Sequence, residues 1–430
     1  METLIAGQVV QFTGDPFVIP AQEAVQIQSD GAILVRDGKV VSIGGRDHMR
    51  AKHPDAVFHD HGPGLITPGF IDAHAHYPQT AMIASWGKRL IDWLNSYTFP
   101  EEMKFADRAY ADDIAARYLD LLLANGTTTV TSFCTIHPGS VEALFEAAEA
   151  RGMRIVAGKT CMDRDTAPEG LRDTAQSAYD DSKALLERWH ERGRATYAIT
   201  PRFSPTSTPE QLEALGALWA EHPSCLMQTH LSEQLDEIEW VKGLYPTARD
   251  YLDTYEQFGL VREGALFGHA IHLEPREIDH LRANDCSLIH CPTSNTFIGS
   301  GLFDMGARKA EGHRVGLATD TGGGSSFSLL RTMAAAYEIG QLTHTALHPA
   351  QLLWLATYGS AHALHMQDRI GSIAPGMEAD FTVLDLASTP AIAQRAIRAE
   401  TIWEEVFPTI MMGDDRAVIA TYVMGHRVAV

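Results

Sequence analysis

From Ile66 onward one rhythm repeats along the chain: a short apolar run, then a stretch with helical spacing. The apolar runs fall at 69–76, 127–135, 154–162, 195–204, 225–232, 265–272, 286–291 and 315–320, which makes eight predicted strands. Between them lie helical patterns at 112–125, 141–151, 175–192 and 209–222. The last opens Thr208-Pro209-Glu210-Gln211, an N-cap residue followed by proline at the first helical position. Eight strands alternating with helices over some 250 residues predict an α/β fold, a (β/α)8 barrel of TIM type. A doubly wound open sheet would want a glycine-rich turn after the first strand, and that place holds His74-Ala75-His76-Tyr77.

The two ends read differently. Residues 1–66 are short alternating segments, with Asp37-Gly38 as a hairpin signal between 32–35 and 39–43. Two further helical stretches, 328–341 and 349–365, follow the last barrel strand, and after about Ile370 β character returns at 379–384 and 417–430. The expected organisation is therefore a barrel catalytic domain over 67–369 and a small composite β-sandwich domain from 1–66 and 370–430.

Composition narrows the partners. A formal net charge of -21 repels phosphate backbones and anionic lipid, which argues against nucleic acid and membrane surfaces and for a neutral small molecule. The N-terminal residues lack a basic segment followed by an apolar core, and no apolar run approaches the ~18 residues that span a bilayer. Five scattered cysteines form neither a disulfide framework nor a metal knuckle, which suits a reducing cytoplasm.

Chemistry is carried by His74-Ala75-His76 at the end of the first predicted strand. Residues i and i+2 of a strand face the same way, so both imidazoles aim at one point. With 20 histidines in 430 residues roughly one such pair is expected by chance, and His59-Asp60-His61 is a second. Position separates them: His59 and His61 precede the barrel, whereas His230, His269 and Asp320 fall at the same strand ends as His74 and His76. That rim is where barrels build active sites. A lone strand histidine is ordinarily a core residue and a lone aspartate an N-cap; their convergence points to a catalytic divalent metal that would lower the pKa of a bound water to about 7. Glu233, three residues past His230, is placed to move a proton, and Asp320 could serve as both ligand and base.

These residues sit inside longer signatures. Pro68-Gly69-Phe70-Ile71-Asp72-Ala73-His74-Ala75-His76 and Gly371-Ser372-Ile373-Ala374-Pro375-Gly376-Met377-Glu378-Ala379-Asp380 resemble the opening and closing motifs of the amidohydrolase superfamily. From about residue 60 to 385 the chain is similar to its guanine-deaminating members, through stretches beginning at His76, Thr200, Thr229, Cys291 and Gly299. The resemblance implies His74, His76, His230 and Asp320 as ligands of one zinc, with ferrous iron possible, and Glu233 as proton shuttle. It implies His269 against the reacting water or the substrate, Gln79, Arg202 and Phe203 against the purine, guanine hydrolysed to xanthine and ammonia, and a homodimer. Binuclear members bridge their metals through a carboxylated lysine on the fourth strand; here that stretch reads Ile199-Thr200-Pro201-Arg202, which favours one metal. Lys159, on the third strand, is expected to be a strand or rim charge instead.

Two other readings stay open. A related aminohydrolase or chlorohydrolase acting on a pterin, triazine or oxidised purine would use the same metal set and differ in a few pocket residues. A catalytically dead barrel kept as a scaffold should have lost ligands, and none of the six residues is missing.

Overall fold

The protein is described from a computed structural model covering residues 2–87 and 89–429. All eight barrel strands are present: Phe70–His76, Thr127–Phe133, Arg154–Gly158, Ala195–Pro201, Leu226–Leu231, Ala265–His269, Ser287–His290 and Arg314–Leu317. They follow one another in chain order around the sheet, with a two-residue extension, Thr160–Cys161, beside the fourth. Ladders from the third strand to the eighth are parallel. Two backbone bonds join the exit of the eighth strand to the first: Asp320 N–H to His74 O at 2.9 Å and His76 N–H to Thr321 O at 2.6 Å. The first strand is buried at every position, as a strand covered on both faces requires.

Helices lie where the spacing puts them, at Arg108–Ala124, Pro138–Arg151, Ala175–Trp189 and Pro209–Glu221. The Thr208 side chain accepts from Gln211 N–H and Pro209 opens the helix, so one orphan donor of the first turn is satisfied.

By compactness the chain forms two units: Met1–Asp72 with Asp120–Thr129 and Phe327–Val430, and Ala73–Leu119 with Val130–Ser326. In the first, the two chain ends supply a seven-stranded sheet joined along a single hydrogen-bonded path. Alternate residues of Glu2–Phe12 feed opposite faces: Leu4 and Ala6 pack with Ala32, Leu34 and Met49, while Ile5 and Val9 pack with Ile66, Phe381 and Tyr422. Asp37 and Gly38 turn the hairpin with φ of 50° and 73°, the paired positive values of a two-residue loop.

Beyond Leu384 the return to β is incomplete, because Pro390–Ala396 and Ile402–Met412 are helices. Thr389 and Thr401 cap them, accepting from Ile392 and Glu404 N–H, and Pro408 inside the second is the breaker signal that hid it.

The second unit contains the barrel rim and its long loops. Among the described residues, no helix is long and apolar enough to cross a membrane.

Candidate active site

The first strand ends on His76, the sixth on His269, and His230 is the penultimate residue of the fifth. Asp320 stands three residues past the eighth. Strand alternation therefore brings the imidazoles of His74 and His76 to one side, with ring centres 5.2 Å apart, and His230 closes on both at 4.8 and 5.2 Å. Their Nε2 atoms meet: His76 to His230 is 3.2 Å, and Asp320 Oδ1 lies 3.5 Å from His74 Nε2 and 3.4 Å from His76 Nε2. A tetrahedral ion bound at 2.0–2.1 Å spaces its ligands about 3.4 Å apart, so these separations are those of a metal's donor set.

Tautomers agree with that reading. His230 Nδ1 sits 2.7 Å from the Arg202 carbonyl, which can only accept, so Nδ1 carries the hydrogen and Nε2 keeps its lone pair. Burial, reinforced by the neighbouring imidazoles, holds His74, His76 and His230 well below the ordinary histidine value, so all three offer lone pairs. Two lone pairs facing each other at 3.2 Å repel unless a cation lies between them.

Room for this corner is made by a missing side chain. A Cβ on Gly268 would stand 2.6 Å from His74 Cε1. Phe133 forms the floor, stacked on His76 at 4.6 Å and within 5.0 and 4.7 Å of His74 and His230. Left-handed backbone marks the strand exits. His269 and Asp320 take φ of 65° and 48°, and Ser232 takes 49°, left-handed values that cost a β-carbon residue on the order of 1 kcal/mol each.

His269 differs from its neighbours. Its Nδ1 donates to Asn295 Oδ1 at 2.8 Å, and its Nε2 faces Glu233 Oε2 at 3.6 Å and Asp320 Oδ2 at 3.7 Å. Burial pulls its pKa down, but the Glu233 and Asp320 carboxylates outweigh that and hold it above the ordinary value. Asp320 is pushed up to about 6, by burial first, with His269 opposing and Glu233 adding. Glu233 accepts from the Ser300 hydroxyl at 2.7 Å, and its own N–H donates to Glu237 Oε2 at 3.0 Å.

Above this corner lies a pocket. Gln79, Arg202, Phe203, Leu90, Trp93, Leu94 and Ile298 line it together with His76, His230, Glu233, His269, Asp320 and Gly323. One wall is an apolar slot: Phe203, Trp93, Leu94 and Ile298 belong to a single buried cluster. The same pocket carries an amide and a guanidinium tied to the same acid. Gln79 Nε2 donates to Glu102 Oε1 at 3.1 Å and Arg202 donates to Glu102 Oε2 at 2.6 Å, with all three side chains buried.

The candidates from sequence thus meet in one place: Gln79, Arg202, Phe203, His230, Glu233, His269 and Asp320 around the pocket with His76, and His74 beneath it. His59 and His61 stand elsewhere, in the terminal sheet, where His61 Nε2 meets the Tyr422 hydroxyl at 2.8 Å. Lys159 is no rim charge: it is 1% exposed and ion-paired to Asp173, itself held by Gln211 at 2.7 Å. Sequence reasoning missed Glu102, Asn295, Ser300 and Phe133. Asn295 and Ser300 lie in the motifs beginning at Cys291 and Gly299, so their signal was present without a role. Glu102 follows another glutamate in a four-residue helix, Phe99–Glu102, and carries no local mark.

The chain as a whole is similar to known proteins. The model of the amidohydrolase family matches residues 65–428. Guanine deaminase of Escherichia coli is 44% identical over 406 residues, 94% of this chain and 92% of that protein. The structure of the E. coli guanine deaminase superposes with a TM-score of 0.96 at 42% identity, over 99% of each chain. Guanine deaminase from C. acetobutylicum, solved with guanine in its active site, gives 0.90 at 28% identity over 100% of each.

Proposed function

The chain belongs to the amidohydrolase family and, within it, to the guanine deaminases, and we propose that its pocket hydrolyses the C2–amino bond of guanine, giving xanthine and ammonia. The observation that carries the reading is one pocket joining a four-donor corner (His74, His76, His230 and Asp320) to an apolar slot that also carries the hydrogen-bonding groups of Gln79 and Arg202. The corner supports a single divalent ion, zinc or ferrous iron. Lys159, already paired with Asp173, supports one metal rather than a lysine-bridged pair. When bound, such an ion supplies Lewis acidity that brings a water's pKa to about 7.

The chain's own residues do the rest. Gln79 and Arg202 hold the polar edge of the purine while Phe203 and the slot pack its faces. Glu233, steadied at Oε1 by Ser300, keeps Oε2 toward the pocket. There it takes a proton from the attacking water and delivers it to the ring nitrogen beside C2. Asp320 Oδ2 is a second acceptor for the water's protons. His269, raised in pKa between the two carboxylates, stabilises negative charge developing on the oxygen. The new C2–O bond forms; as that oxygen becomes a carbonyl its remaining proton, taken up at Asp320 Oδ2, passes to the amino group, the C2–N bond breaks and ammonia leaves.

The test is ammonia release and product absorbance from guanine, 8-oxoguanine, adenine, cytosine, pterins and triazines. Guanine is expected to lead with xanthine as product, activity to vanish on chelation, and zinc to restore it. A protein that leaves guanine untouched refutes the substrate; activity surviving full chelation refutes the metal.

A further inference from the structure

Glu102 is not among the residues that line the pocket, yet it is 1% exposed and grips Gln79 and Arg202 of the pocket wall. A carboxylate can only accept hydrogen bonds. Facing Glu102 across 3.1 Å, the Gln79 side chain must therefore present its NH2, and so turns its carbonyl away. That carbonyl, Gln79 Oε1, is buried and has no hydrogen-bond partner among the described residues. Gly322 lies against this side chain, and a Cβ there would come within 2.7 Å of Gln79 Cβ and 3.1 Å of Gln79 Oε1. On the other side, Arg202 commits Nη1 to Glu102 at 2.6 Å, and a guanidinium has no acceptor to offer under any rotation.

Resting on the function proposed above, we propose that Glu102 is a positioning residue that sets the hydrogen-bond polarity of the pocket wall, locking it as one acceptor, Gln79 Oε1, beside one donor, Arg202. A wall of that polarity complements a lactam edge, where a ring N–H donor adjoins a carbonyl acceptor. It opposes an amidine edge, where an unprotonated ring nitrogen adjoins an amino group. The leaving amino group at C2 is the same in either ring type, so discrimination comes from this wall and not from the reacting corner. Without Glu102, the Gln79 amide could turn over and present its NH2, and the pocket would lose that preference.

Guanine and 2,6-diaminopurine isolate the effect, because both carry the C2 amino group and differ in the polarity of the neighbouring edge. Steady-state ammonia release from both is measured for zinc-loaded wild-type protein and for E102Q, whose amide can donate as well as accept. Wild type is expected to favour guanine in kcat/KM by about 1,000-fold or more, since a buried polar group left unmatched is heavily penalised. E102Q is expected to keep its zinc per chain, to raise KM for guanine by about tenfold, and to lower the guanine preference at least tenfold. Equal losses on both substrates, or an unchanged ratio in soluble zinc-loaded E102Q, overturn the inference. Should E102Q not fold, wild type decides alone: turnover of 2,6-diaminopurine as fast as guanine overturns it, and strong rejection supports it. Wild type inactive on guanine refutes the parent function instead, an outcome distinct from guanine turnover without discrimination.

Discussion

Ser300 donates its hydroxyl hydrogen to Glu233 Oε1 across 2.7 Å, although 67 residues separate the two in the chain. Gln234 Nε2 in turn donates to Ser300 Oγ at 3.2 Å, so the hydroxyl has its acceptor and its donor assigned. Hydrogen bonds to a charged group contribute about 1.5–3 kcal/mol, and this one selects which carboxylate oxygen faces the pocket. Ser300→Ala should lower kcat by about tenfold or more while leaving zinc content and guanine KM close to wild type. Steady-state kinetics with elemental analysis check this; a change in KM alone would place Ser300 in binding.

Glu233 itself is separable from the metal corner. Its oxygens approach His269 and Ser300, and neither of these is one of the four donors His74, His76, His230 and Asp320. Glu233→Gln preserves the shape and removes the proton acceptor. Turnover should drop by roughly 10²–10⁴, the usual contribution of a positioned acid–base group, with zinc retained. Near-normal kcat in that variant removes Glu233 from its assigned role.

Gly268 is needed for space. The nearest atoms to an added methyl are His74 Cε1 at 2.6 Å and Nδ1 at 2.9 Å, and that ring is buried and packed against Phe133, not the free end of a flexible chain. Gly268→Ala should displace the His74 ring and weaken zinc by about 10- to 100-fold, in the range seen when a ligand loses its outer support. Competition with a calibrated chelator measures it. Unchanged zinc affinity would mean the sixth strand gives way instead.

How much of this could be read from the chain follows from how local each signal is. The strand ends were legible because alternation and turn residues are short-range, and with them His74, His76, His230, His269 and Asp320 fell on one rim. Glu102 was not, because its partner Arg202 is 100 residues away and nothing distinguishes it from Glu101, which pairs with Lys104 at 2.6 Å. Lys159 misled for the same reason: a lysine is almost never fully buried unless paired, and Asp173 lies beyond a loop that local pattern does not close. Tautomers and strained φ values at His269 and Asp320 leave no trace in composition at all.

Beside Glu233 sits a carboxyl whose titration should be visible in stability. Glu237 Oε2 accepts from the N–H groups of Glu233 and Gln234 at 3.0 and 3.1 Å, and Oε1 from the Tyr251 hydroxyl at 2.6 Å. Burial, then the charge of Glu233, pushes it up to about 7 from an ordinary 4.5, against those hydrogen bonds. Below pH 4.5 the group is protonated both folded and unfolded, and it exerts no pH-dependent effect. Between 4.5 and about 7 the unfolded chain releases the proton while the folded one holds it, so stability falls as pH rises. The loss amounts to something on the order of 3 kcal/mol and is complete above 7. Glu237→Gln cannot titrate and should escape it. The difference in Tm between variant and wild type should therefore grow in the variant's favour from pH 5 to pH 8, by a few degrees for a chain of this size. Calorimetric scans at the two pH values decide it. A difference that stays constant, or that shrinks toward pH 8, would show Glu237 already ionised in the folded protein and supported there by its three donors.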